Sequence, residues 1–173
     1  MSGEKVIQGR VWRLGADIDT DVLAPGAYMK HGLDVIARHC LESVRPEFAA
    51  QVQAGDVIVA DQNFGIGSSR EQAAGVLVQL GVAAVIAPSF SGLFFRNAFN
   101  LGLLLITCQQ ALELNDAELI SLQRSAAPQV LRSNGQRLQG QPIPDFLMDM
   151  VSAGGLMNLL RLRAQSAHGM DKT

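Results

Sequence analysis

The sequence predicts an α/β fold: one domain whose sheet contains parallel strands. Three observations lead there. Between residues 57 and 107, short apolar, β-branched runs alternate with stretches of helical period, the rhythm of strand–helix–strand units. A chain of 173 residues that is 48% hydrophobic is about the size of one domain and has enough apolar side chain for a core. No internal repeat and no linker of distinct composition divides it.

In chain order, Val6 to Leu14 reads as an opening strand, its apolar residues broken by Gly9 and Arg10. Gly15 to Asp21 then brings Asp17, Asp19, Thr20 and Asp21 into one short loop. The spacing is not that of an EF-hand, because the glycine and the distant glutamate are missing. An Asx-turn with solvated carboxylates is the simpler reading. A loop bounded by Pro25, Gly26 and Gly32 follows, with Tyr28, Met29, Lys30 and His31 near its tip. Such a loop can serve as a substrate lid, or can carry polar residues for solubility alone.

Leu33, Ile36, Ala37 and Cys40 repeat at i, i+3, i+4 and i+7, an amphipathic helix on which Cys40 is an apolar core residue. Adjacent residues on a helix diverge by about 100°, so His39 and Cys40 do not converge on a metal. Pro46 to Val52 reads as a short helix with proline in its first turn. Val57 to Ala60 is a buried strand, Gln72 to Leu80 a helix stopped by Gly81, and Ala83 to Ala87 a second buried strand. From Ser89, a plausible N-cap, a helix carries Phe90, Leu93, Phe94, Ala98 and Leu101 on one face. Leu103 to Thr107 resumes a strand. Asn115 to Arg124 is predicted helical, with Asn115 as cap and Asp116 and Glu118 in the first turn. Asn134-Gly135 marks a hairpin. Pro142 to Val151 opens a helix with Phe146, Leu147, Met150 and Val151 on one face; Gly154-Gly155 breaks it, and Leu156 to Leu162 forms a last helix before a polar tail.

Composition excludes several functions. Charged residues are 17% of the chain and the net charge is −2, so no basic surplus supports electrostatic binding to nucleic acid. Cys40 and Cys108 are far apart and form no CxxC pair. They argue against a disulfide scaffold, a zinc site, or an iron–sulfur cluster held by this chain alone. Met1 to Lys5 shows no apolar signal region, and no apolar run reaches the roughly 18 residues of a membrane span. The expectation is a soluble, cytoplasmic protein without a membrane partner.

The chemistry-bearing stretch is Asn63-Phe64-Gly65-Ile66-Gly67-Ser68-Ser69-Arg70-Glu71, at a strand-to-helix turn. Unpaired amide N–H groups and the positive end of the helix dipole collect at such turns, so anions bind there. Ser68-x-x-Glu71 has the form of a capping box. That leaves Gly65, Gly67, Ser69 and Arg70 without a role. The stretch matches neither GxGxxG nor a Gly-Lys phosphate loop, nor a GxSxG nucleophile elbow. Arg70 offers a bidentate fork to a carboxylate. Ser68 can move a proton to or from carbon if its alkoxide is stabilised by the helix end and by nearby positive charge. No His or Lys within the motif serves as its base, which points to a cation, such as a metal centre, delivered from elsewhere.

Asp19-Thr20-Asp21, Pro25, Tyr28 and the string Asn63-Phe64-Gly65-x-Gly67-Ser68-Ser69-Arg70-Glu71-x-Ala73 resemble the small subunit of 3-isopropylmalate dehydratase. The resemblance continues through Ala87-Pro88-Ser89-Phe90, Phe95-Arg96-Asn97 and Asn100-x-Gly102-Leu103 to Gly154-Gly155-Leu156. It implies a single swivelling β/β/α domain over residues 1–165, as in the aconitase C-terminal (swivel) domain, and a disordered tail at 166–173. It also implies a half-enzyme. In this family a large partner subunit holds a [4Fe-4S] cluster through three cysteines, and the small subunit closes over it, binding no metal or cofactor itself. By motif position Ser68 is the base. Ser69, Arg70, Gly67 and Asn63 bind substrate, a small 2-hydroxy di- or tricarboxylate, and Tyr28, Met29, Lys30 and His31 form the loop that selects its side chain. The implied activity is isomerisation of 2-isopropylmalate and 3-isopropylmalate through the dehydrated diacid, in leucine biosynthesis. The chain departs from the family pattern at Met29-Lys30-His31, Ile66 and Gln72. A lysine at the loop tip favours a third carboxylate, as in homocitrate or methylcitrate, over an isopropyl group; homoaconitase, methylcitrate dehydratase and 2,3-dimethylmalate dehydratase are the alternatives. A non-catalytic binding module is the remaining reading, and the near-neutral charge counts against its RNA-binding form.

Overall fold

A computed structural model describes residues 5–170. Residues 1–4, read above as lacking a signal region, and the last three residues of the expected tail lie outside it. Strand β1 (Lys5–Arg13) organises the sheet, because its two halves pair differently. Its second half runs parallel to β2 (Val57–Val59) from Val11↔Val57 to Arg13↔Val59. Its first half runs antiparallel to β5 (Leu119–Arg124) from Lys5↔Arg124 to Arg10↔Leu119. With β3 (Ala84–Ala87), β4 (Leu104–Thr107), β6 (Gln129–Arg132) and β7 (Arg137–Gln139), the order is β4-β3-β2-β1-β5-β6-β7. Strands β1 to β4 are parallel and β1, β5, β6 and β7 antiparallel.

The strands predicted from unbroken apolar runs form the parallel half, as expected of a sheet covered on both faces. Every residue of β2 and β3 is buried, and so are Leu104, Leu105 and Ile106 of β4. Helices α1 (Thr20–Leu23), α2 (Leu33–Arg38) and α3 (Phe48–Gln51) follow β1; α4 (Glu71–Gln79) and α5 (Gly92–Asn100) join β2, β3 and β4. After the hairpin come α6 (Asp145–Ala153) and α7 (Leu156–Met170). The α/β fold with parallel strands is therefore as predicted.

Four local expectations fail. Residues 115–124 are not a helix: Asn115 to Glu118 is a turn, closed by Asn115 N–H donating to Glu118 Oε2 at 2.9 Å, and Leu119–Arg124 is β5. Ile120 and Leu122 alternate inward while Leu119 is exposed, so pairing with β1 overrides the capping signal. Ser89 does not cap α5. Ser91 holds that position, and Ser89 Oγ accepts from Asn63 N–H at 2.9 Å instead. Leu93 and Phe146, placed on buried helix faces, are 48% and 58% exposed, whereas Phe94, Ala98, Phe99 and Val151 are buried. Finally, α7 runs to Met170, beyond the predicted end near Arg163, with Ser166 Oγ donating to the Leu162 carbonyl at 3.0 Å along its surface.

Candidate active site

The motif lies where loops leave the C-terminal ends of three parallel strands, the usual place for a binding crevice in an open α/β sheet. The loop after β2 (residues 60–70) is held between the loop after β1 and the loop after β3. On one side Asp17 N–H donates to the Gln62 carbonyl at 2.9 Å, Gly65 N–H to Ile18 at 2.7 Å, and Thr20 N–H to Ile66 at 2.8 Å. On the other, Phe64 N–H donates to Ser89 and Ser91 N–H to Phe64, at 3.2 and 2.9 Å.

Glycine is required at two of its positions. Gly65 has φ +82°, and a Cβ there would lie 2.2 Å from the Phe94 ring. Gly67 has φ +105°, with Thr20 Oγ1 3.1 Å from where a Cβ would stand. Asn63, also left-handed at φ +63°, donates from Nδ2 to Asp17 Oδ1 at 2.9 Å, and Asp17 itself has φ +57°.

The capping box does not form. Helix α4 starts at Glu71, its N-cap is Arg70, and no side chain caps it. Ser68 therefore precedes the helix by three residues, and its exposed hydroxyl lies 3.2 Å from Thr20 Oγ1. Among the described residues the backbone N–H groups of Gly67, Ser68, Ser69 and Arg70 have no acceptor. Four successive free donors at the head of a helix, beside an exposed serine hydroxyl, make an anion-binding edge.

Arg70 is partly committed. Its Nη1 donates to Asp21 Oδ1 at 3.0 Å and to the Ala24 carbonyl at 2.6 Å. Nε and Nη2 have no partner among the described residues and remain for a ligand. Asp21 Oδ1 also accepts from Gly26 N–H at 2.8 Å. That backbone bond first, and Arg70 second, hold the Asp21 carboxyl below its ordinary pKa. Asp19 accepts from Val22 N–H at 2.8 Å and caps α1. The three aspartates are thus hydrogen-bonded into the site; Asp17 and Asp21 are also exposed, as the solvated-loop reading expects, while Asp19 is half-buried. Ser69 is exposed, its carbonyl accepting from Asn97 Nδ2 at 3.2 Å.

The loop of Tyr28 to His31 is more ordered than a free lid. It carries α1 at its root and one 3-10 turn, Gly26–Tyr28. The Tyr28 ring stacks on His39 at 3.6 Å between centroids, 8° from parallel, and His39 Nδ1 meets Glu42 Oε2 at 2.6 Å. That stacking anchors the loop, and burial first, then the Glu42 charge, raises the Tyr28 hydroxyl above its usual value. Lys30 is exposed, and Met29 packs against the core. His31 lines a cleft of ≈ 300 Å³ with Leu33, Ile36 and the start of α4 at Glu71 and Gln72. Loop and motif thus meet along one open edge.

Thr20, Asp21 and Asp17 were not among the expected site residues. Their signal was topological: β1 and β2 are parallel neighbours, so the loops that follow them must lie side by side.

Residues 39–111 match the aconitase C-terminal domain family. The chain is 41% identical over 153 residues to the 3-isopropylmalate dehydratase small subunit of Sulfurimonas denitrificans, covering 88% of this chain and 92% of that one. The chain belongs to the 3-isopropylmalate dehydratase small-subunit family. It is also 42% identical over 156 residues to the methanogen homoaconitase small subunit of Methanothermobacter thermautotrophicus, covering 90% and 91%. The crystal structure of 3-isopropylmalate dehydratase (leuD) from Methanocaldococcus jannaschii superposes with a TM-score of 0.89 at 34% identity, over 96% of this chain and 99% of that one. The small-subunit fold inferred from the motifs is thus found in the structure and in the relatives alike.

Proposed function

We propose that this chain is the small subunit of a two-subunit iron–sulfur hydro-lyase that interconverts 2-isopropylmalate and 3-isopropylmalate in leucine biosynthesis. The observation that carries the reading is the exposed Ser68 hydroxyl at the head of four free backbone N–H groups, next to the two free donor nitrogens of Arg70. One carboxylate of the substrate is held by Arg70 Nε and Nη2. The remaining negative charge faces the N–H groups of residues 67–70. Ser68, as its alkoxide, takes the proton from the carbon next to the one bearing the hydroxyl. The C–H electrons become the double bond, and the hydroxyl leaves. Adding water back with the two carbons exchanged gives the isomer.

A [4Fe-4S] cluster on the large subunit would supply a Lewis acid for the departing hydroxyl. The donors of this chain do not suit it as ligands. Cys40 and Cys108 are 1% and 2% exposed, and burial pushes both thiols up, away from the thiolate a cluster needs. Among the described residues no helix is long and apolar enough to cross a membrane; we place the enzyme in the cytoplasm.

A second reading, homoaconitase, is favoured by Lys30. It is an exposed cation without a partner among the described residues, on the loop beside the motif, and it suits a third carboxylate. Co-expression with a large subunit, cluster reconstitution and assay against 2-isopropylmalate, homocitrate, methylcitrate and 2,3-dimethylmalate tests both. Turnover of isopropylmalate is expected. Activity on homocitrate alone would establish the second reading, and no dehydratase activity would remove both.

A further inference from the structure

Thr20 is buried, 3% exposed, yet its hydroxyl points at the motif. Among the described residues its Oγ1 has one hydrogen-bond partner, Ser68 Oγ at 3.2 Å. Its own N–H is already given to the Ile66 carbonyl. Either oxygen is close enough to donate, and burial decides which does. A hydroxyl shut away from water must place its hydrogen on the acceptor within reach, whereas Ser68 is exposed and can turn its hydrogen outward. Gly67, with Thr20 Oγ1 3.1 Å from its missing Cβ, keeps that approach open.

We infer that Thr20 is a positioning residue for proton transfer: its hydroxyl donates to Ser68 Oγ, stabilising the alkoxide and leaving the reactive lone pair directed outward at substrate carbon. The inference rests on the reading of Ser68 as the base. In the step, the carbon–hydrogen bond breaks and its electron pair becomes the new double bond. The proton forms the Ser68 O–H, and hydroxide leaves the neighbouring carbon. Thr20 keeps its bond throughout, and that bond is strongest while Ser68 is charged, because a hydrogen bond to an anion is about twice as strong as one between neutral groups. It therefore raises the share of enzyme in which Ser68 stands as the alkoxide, and part of that stabilisation persists in the transition state, where the oxygen still carries partial charge.

Thr20→Val, nearly the same shape without the hydroxyl, tests this in the reconstituted two-subunit enzyme, with Thr20→Ser and Ser68→Ala beside it. The readouts are kcat, KM and the primary isotope effect with 2-isopropylmalate deuterated at C3. For Thr20→Val we expect kcat to fall about 100- to 1000-fold with KM within about twofold, the range for losing one preorganised donor. The isotope effect should rise as proton abstraction becomes more rate-limiting, and Thr20→Ser should recover most of the rate. A merely structural role would lower the amount of active enzyme and leave the isotope effect unchanged, which would overturn the inference. A dead Ser68→Ala with an unaltered Thr20→Val would sink it alone. Full activity in Ser68→Ala would remove the reading of Ser68 and this inference with it.

Discussion

Ser68 stands three residues ahead of α4, and that offset separates its two sequence readings. As an N-cap its oxygen would be occupied by a helix N–H; where it stands, that oxygen faces Thr20 and solvent. The motif string made the residue types legible, and the helix start read at Gln72 lies one residue from the observed Glu71; the cap failed, because a Ser-x-x-Glu spacing is compatible with a cap and does not require one. Arg70 was legible as a carboxylate fork, while its tie to Asp21 and Ala24 was not, since that depends on which loops become neighbours. Arg70→Lys should therefore do two kinds of damage. It removes the planar fork and loosens the loop root, so KM for the hydroxy diacid should rise about 10- to 100-fold, the worth of one charged hydrogen bond of roughly 1.5–3 kcal/mol. Steady-state kinetics of the assembled enzyme measure this. Gly65→Ala has nowhere to put its methyl, 2.2 Å from the Phe94 ring. Left-handed strain of about 1–3 kcal/mol adds to that clash, so the midpoint of urea unfolding should drop, or the chain should fail to fold.

At the scale of elements, the parallel half was readable because its strands are buried on both faces and their apolar runs are unbroken. The antiparallel half was less so. Strand β5 has the composition of a weak helix, and only its pairing with β1 and β6 determines its state. Helices α5, α6 and α7 meet at glycines. A Cβ on Gly102 would lie 2.7 Å from the Gly154 carbonyl carbon, and one on Gly155 (φ +119°) would lie 2.7 Å from the Asn100 carbonyl oxygen. The sequence marked Gly154-Gly155 as a break, which it is; the close approach to α5 came only with the fold. Gly155→Ala should destabilise by at least about 1–3 kcal/mol through its backbone alone, measurable by denaturant unfolding, with the Ser68 turn unchanged in kcat once folded. Gly135, in the hairpin turn with nothing within 4 Å of its missing Cβ, provides the comparison: Gly135→Ala feels only its φ of +87°.

For the whole molecule, β1 joins a parallel half that carries the site to an antiparallel half locked by ion pairs. Arg132 donates to both oxygens of Glu118, at 2.7 and 2.9 Å, with both side chains largely buried. Arg132 first, then the Asn115 N–H, depresses the Glu118 carboxyl, and Asp21 is depressed at the site. A carboxyl with a lowered folded pKa gives stability that is fully present above its unfolded value, about 4.5 for Glu and 3.8 for Asp, and is lost as pH falls through the folded value. The melting temperature should be nearly flat from pH 7 to about 5 and fall below about 4.5, with a shallower fall in Glu118→Gln. Calorimetry across that range checks the sign.

The most direct test of the account is kcat of the reconstituted two-subunit enzyme with 2-isopropylmalate, wild type against Ser68→Ala, at equal cluster content. The account predicts a loss of at least about 100-fold with KM little changed, because the residue acts on the proton and not on binding. Equal kcat in the two proteins would contradict it.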